Sequence, residues 1–116
     1  MSDRKVVVTG IGLVCALGLD RETAWQALVA GKCGIGDLTL FDPAGYRSRK
    51  VAEVPPFDAS TFCTPLERRR YSRSDQLALI ASTEALKDAG LLESGVNRDA
   101  VGVMLGAGTN DLLRNE

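Results

Sequence analysis

Several residues in this chain have side chains that could do chemistry, and most of them lack a partner. Cys15, Cys33 and Cys63 offer thiols, yet the 116 residues contain no histidine. A nucleophilic thiol is ordinarily activated by a neighbouring base, most often an imidazole. The three cysteines show no Cys-x-x-Cys spacing, and without histidine the common Cys/His zinc sets are short of ligands. They read as three reduced, mostly buried thiols. Glu84, Asp88, Asp111 and Glu116 are carboxylates that no spacing pairs for acid/base work, so they read as surface.

The arginines are more specific. Arg68, Arg69 and Arg70 are consecutive, with Arg73 one turn further on. Guanidinium forks bind carboxylate and phosphate bidentately, so a short arginine-rich helix end can receive an acidic partner. Charge pattern alone favours a solvated basic face. The net charge of −1 gives the whole chain no attraction for nucleic acid or an anionic membrane.

Glycines after apolar runs raise the question of phosphate binding, and their spacing answers it. A Gly-x-Gly-x-x-Gly pattern starting at Gly10 meets Gly12 but then Cys15; one starting at Gly106 meets Gly108 but then Asp111. No Lys-Ser/Thr pair completes a phosphate loop. Arg4 and Lys5 before the apolar run Val6–Leu19 imitate a signal peptide, but three glycines and a threonine interrupt that run. No stretch reaches the roughly 18 apolar residues of a membrane span.

The elements that must position these residues follow an α/β plan. Val6-Val7-Val8-Thr9 is a β-branched run suited to a strand buried on both faces. Asp20 is an N-cap for a helix over Arg21–Ala30, stopped by Gly31, with Trp25 as its core anchor beside Ala24 and Leu28. The stretch 31–46 is turn-rich, and Val51–Val54 alternates as a short strand closed by Pro55-Pro56. Thr64-Pro65-Leu66-Glu67 carries a capping threonine, a proline at the first helical position and a glutamate three residues after the cap, so a brief helix starts at Pro65. Ser72 or Ser74 caps the longest helix, which runs to about Ala89, with Gly90 as C-cap. Ala78, Ala81, Ala85 and Ala89 form a small-residue stripe along it that admits close packing. Val101–Leu105 is a second buried-type strand, expected beside the first in parallel. A strand there needs a covering layer, so the end of the chain reads as a cut.

Taken in order, these segments resemble the amino-terminal part of the β-ketoacyl-acyl-carrier-protein synthases, nearest the elongating type II branch. The resemblance is carried by Val6–Val14, Ala16-Leu17-Gly18, Thr23-Ala24-Trp25, Leu28, Gly31–Ile35, Phe41-Asp42, Arg69-Arg70, Gln76-Leu77-Ala78, Glu84–Leu91 and Val101-Gly102-Val103. Tyr71-Ser72 and Gly106–Asp111 depart from the type II pattern.

The resemblance implies an α/β, thiolase-like fold of layered α and β elements, of which residues 1–116 supply roughly the first quarter. It also implies decarboxylative condensation of a cysteine-bound acyl group with malonyl-carrier protein, assisted by two histidines. By position Cys15, Cys33 and Cys63 are not the family's nucleophile, so no catalytic residue is expected in this segment, and neither cofactor nor metal is implied. Relatives carry basic residues at Arg69 and Arg70, where they help receive an acyl carrier protein; Arg68 and Arg73 are weaker supports. A cytoplasmic homodimer without nucleic-acid or membrane partners completes the expectation. The competing reading is a non-catalytic module that retains carrier docking.

Overall fold

In the computed structural model, residues 4–106 are described. Along the chain come helix α1 (Arg21–Val29), strands β1 (Gly36–Asp37) and β2 (Lys50–Val51), a 3-10 turn (Ala59–Thr61), helix α2 (Pro65–Arg70), helix α3 (Arg73–Asp88) and a second 3-10 turn (Arg98–Ala100).

Local sequence signals account for the helix ends. Asp20 caps α1, accepting from the Thr23 amide at 2.7 Å and from the Thr23 hydroxyl at 2.7 Å. Both α1 and α3 close in the same way. At α1, the amides of Gly31 and Lys32 return to the carbonyls of Leu28 and Ala27; at α3, those of Gly90 and Leu91 return to Lys87 and Leu86. Each closure needs a left-handed residue just past the helix, and Gly31 (φ 69°) and Gly90 (φ 67°) supply it. Of the two serines that could start α3, Ser72 does so. Its hydroxyl accepts from the Asp75 amide at 3.1 Å, and Asp75 accepts in return from the Ser72 amide at 2.9 Å.

The central packing event joins the first segment to α3. A Cβ placed on Gly12 would stand 1.8 Å from the Ala81 carbonyl oxygen, and one on Gly10 would stand 2.3 Å from that of Ala85. The glycines and the alanine stripe are therefore two halves of one backbone-to-backbone contact. Two carboxylates on α3, a turn apart, secure it. Asp88 accepts from the Ile11 amide at 3.0 Å, and Glu84 accepts from the amides of Leu13 and Arg21, both at 2.8 Å. The Arg21 guanidinium adds an ion pair with Asp88. Glu84 and Asp88, expected as idle surface, are the clasp between the first segment, α1 and α3.

Four other expectations are corrected. Val6–Thr9 and Val101–Leu105 form no strand: among the described residues neither has a ladder partner, and Val6 (95%) and Val103 (80%) are exposed. Extended backbone becomes a strand only when another extended segment exchanges hydrogen bonds with it. Trp25 is not a core anchor. It is exposed, while Ala24 and Ala27 occupy the inner face of α1. The strand expected over Val51–Val54 shrinks to an antiparallel two-residue ladder, Gly36 opposite Val51 and Asp37 opposite Lys50. Glu53 leaves that ladder to accept from the amides of Thr39 and Leu40 and from the Thr39 hydroxyl. Of the thiols only Cys63 is buried; Cys15 is half-buried, Cys33 is exposed, and all three are free. Beyond Gly106, the expected turn and the carboxylates Asp111 and Glu116 lie outside the described residues.

Candidate functional site

The arginine cluster sits where local chemistry forces a helix end. Thr64 accepts from the Glu67 amide at 3.3 Å, and the Glu67 carboxylate accepts from the Thr64 amide and hydroxyl, both at 2.8 Å. Pro65 occupies the first helical position, where its missing N–H costs nothing. The Thr64 amide, and then its hydroxyl, hold the Glu67 carboxyl below its ordinary range, keeping it an anion at the helix start. Arg68, Arg69 and Arg70 fill the last turn. Negative charge at the start and positive charge at the end both match the helix dipole.

Arg68, Arg69 and Arg70 are exposed. Arg68 exerts a weak pull on Asp58, whose carboxyl is held low chiefly by the Ser60 hydroxyl and amide. Arg73 is separate from the other three. Its guanidinium donates to the Val54 carbonyl at 3.2 Å and lies 5.1 Å from the centre of the Phe57 ring. The structure thus brings Arg68, Arg69 and Arg70 together on α2 and turns Arg73 toward the preceding loop. This arrangement can bind anions but offers no base, nucleophile pair or metal cage. Among the described residues no cluster of three or more potential ligands could hold a metal ion.

A shallow apolar cleft of about 420 Å³ lies elsewhere, lined in part by Leu13, Leu17, Trp25 and Leu28. Cys15, Arg21 and Glu22 also line it. No helix among the described residues is long and apolar enough to cross a membrane.

Comparison with known proteins gives this scaffold its place. The family model for the beta-ketoacyl synthase N-terminal domain matches residues 3–116. The chain belongs to the β-ketoacyl synthase family. This ketosynthase segment is 37% identical over 112 residues to a 3-oxoacyl-[acyl-carrier-protein] synthase 2 of Synechocystis, covering 97% of the segment and 27% of the relative. It is 41% identical over 103 residues to the tetracenomycin polyketide synthase ketoacyl synthase beta subunit of Streptomyces glaucescens, covering 89% and 25% respectively. Among solved structures it is similar to the ishigamide ketosynthase/chain length factor, with a TM-score of 0.67, 32% identity, and coverage of 85% of this chain and 23% of that one. The ketosynthase segment therefore spans about a quarter of the length of the relatives it matches. Its fold is that of part of a ketosynthase, as the ordered series of sequence matches implied.

Sequence reasoning missed the clasp made by Glu84 and Asp88 and the Arg73–Phe57 contact. For the clasp a signal existed: the carboxylates are four residues apart, flanking Ala85 of the small-residue stripe. Nothing in the spacing of Phe57 and Arg73 announced their contact.

Proposed function

We propose that this chain is the amino-terminal part of a β-ketoacyl-acyl-carrier-protein synthase acting in fatty-acid or polyketide-type chain extension. The observation that carries this reading is the family match along residues 3–116, against relatives about four times as long. In such a synthase a cysteine thiolate accepts the acyl group. Malonyl-carrier protein loses carbon dioxide, and the resulting carbanion attacks the thioester carbonyl and expels the thiolate. The segment holds no histidine to assist these steps. Its part is to build the first portion of the layered thiolase-like scaffold and to present a basic helix end.

Arg69 and Arg70 are the proposed docking pair for the acidic face of the carrier protein, with Arg68 and Arg73 in supporting places. Their exposure on the last turn of α2 supports this reading, because a long-range attraction needs solvent-facing charge. In the whole synthase, proposed to be a cytoplasmic dimer, Arg69→Glu with Arg70→Glu should raise the KM for carrier-bound substrate at least several-fold at low ionic strength. The effect should shrink at high salt, and labelling of the nucleophile by a small thiol reagent should not change. Wild-type carrier kinetics at low ionic strength would reduce the arginines to a solvated face. Sequencing past the codon for Glu116 tests the wider reading: a downstream cysteine followed by two separated histidines supports the synthase, and an immediate stop codon favours a non-catalytic docking module.

A further inference from the structure

The helix that carries the docking pair is poorly equipped to hold its own direction. It has six residues, none of them buried, and it packs on the Ala59–Thr61 turn. A helix this short cannot rely on its own hydrogen bonds, so something outside it must fix its axis. The two ends of the stretch containing it are joined by one side chain. Arg73, at the first position of α3, reaches back nineteen residues to the Val54 carbonyl and lies over the Phe57 ring. Its charge also helps to keep the Glu53 carboxyl low, after the hydrogen bonds from the Thr39 hydroxyl and from the Thr39 and Leu40 amides. The guanidinium thus joins the segment at 54–57 to the start of α3, while Glu53 next to that segment holds the loop at 39–40.

We infer that Arg73 is a positioning residue: by closing the loop from Val54 to Arg73 at its base, it sets the direction in which α2 presents Arg69 and Arg70. The inference rests on the docking reading of that pair and gives Arg73 its part without contact to the partner. Closing a loop removes the conformations in which its contents swing about the two ends. The closure depends on guanidinium geometry. A planar fork can donate to a carbonyl and stack on a ring together, whereas an ammonium is a compact, strongly hydrated point charge.

That difference supplies the test, made in the whole synthase with Arg73→Lys, Arg73→Gln, Phe57→Leu and the Arg69→Glu/Arg70→Glu pair. Hydrogen exchange of the peptides spanning residues 58–72 reports the brace directly; KM and kcat for carrier-bound substrate report docking. Arg73→Lys, which keeps the charge, and Phe57→Leu, which removes none, should both speed exchange in α2. Both should raise the KM about two- to fivefold, the range expected for an exposed cation–π contact, with kcat unchanged. Should Arg73→Lys match wild type in both readouts while Arg73→Gln raises the KM, Arg73 acts as a docking charge and the inference is overturned. Unchanged exchange in Arg73→Lys, Arg73→Gln and Phe57→Leu also overturns it. If the Arg69→Glu/Arg70→Glu pair leaves the KM alone, the docking reading fails on that result. Faster exchange in Arg73→Lys would then still support the brace.

Discussion

At the scale of single residues, the contact between the first segment and α3 makes the sharpest demands. Gly12→Ala would put a methyl carbon 1.8 Å from the Ala81 carbonyl oxygen, and backbone on both sides leaves neither part free to yield. Such overpacking should cost about 1–3 kcal/mol or more. Gly36→Ala meets nothing within 4 Å and serves as the control. Denaturant midpoints of the two variants in the whole synthase check this, and equal midpoints would refute the close approach. Asp88 adds a pH dependence. The Arg21 hydrogen bond first, and then the Ile11 amide, lower its carboxyl below the ordinary 3.8. A group with a depressed folded pKa stabilises fully above its unfolded value and loses that contribution as pH falls through the folded one. The stability gap between wild type and Asp88→Asn should therefore be constant from pH 7 to about 5 and close below about 4. A gap that does not narrow at all as pH falls below about 4 would show that the charge of Asp88 is not what holds Ile11 and Arg21. Little of this was legible beforehand. The alanine stripe was plain from its period, but its partner lies some seventy residues away, and helical periodicity carries no information over that distance.

At the scale of elements, the helices separate by how their starts are held. Thr64→Ala removes an exposed cap from α2 and should speed amide exchange over residues 65–71 while barely moving the global midpoint. Ser72→Ala removes a nearly buried cap (9% exposed) from the longest helix and should lower the global stability by about 0.5–2 kcal/mol, and with it the midpoint. Equal global effects would mean that α2 is as firmly integrated as α3. Helix ends were readable because a cap, a proline or a glycine acts within four residues of its own position; Thr64, Pro65, Glu67 and Gly90 all did what their local chemistry prescribes. The strands were less readable. Val6–Thr9 and Val101–Leu105 have strand composition, but a ladder depends on a second chain segment, and among the described residues none is paired with either. The Arg68–Arg70 cluster was legible as positive charge at a helix end. The engagement of Arg73 with Val54 and Phe57 was not, because it arises from how the chain from Val54 to Arg73 returns on itself.

At the scale of the whole molecule, hydrophobic surface outruns the core. Ala24, Ala27, Cys63 and Ile80 are the buried hydrophobic residues among those described, whereas Val6, Val7, Val8, Val103, Met104 and Leu105 are each more than 70% exposed. The radius of gyration is 17.5 Å, compared with about 13 Å for a compact chain of 100 residues. Expressed by itself, the 116-residue chain should bind a hydrophobic dye and unfold without a sharp transition. It should also condense no acyl- and malonyl-carrier protein, having no histidine to stabilise the carbanion. Cooperative unfolding with dispersed amide signals would contradict the first expectation, and turnover above the no-enzyme control the second.

The grip of Asp88 on Ile11 spans 77 residues. On a ribosome making roughly 5–20 residues per second, Ile11 is made some 4–15 s before the carboxylate that fastens its segment. Throughout that interval Gly10, Ile11 and Gly12 lack the helix they pack against, and their backbone is open to other partners. Moving the clasp residues later in the chain would lengthen the wait, so the yield of soluble synthase should depend on translation speed between codons 11 and 88. Slowing those codons should lower the yield, while slowing codons after 88 should not.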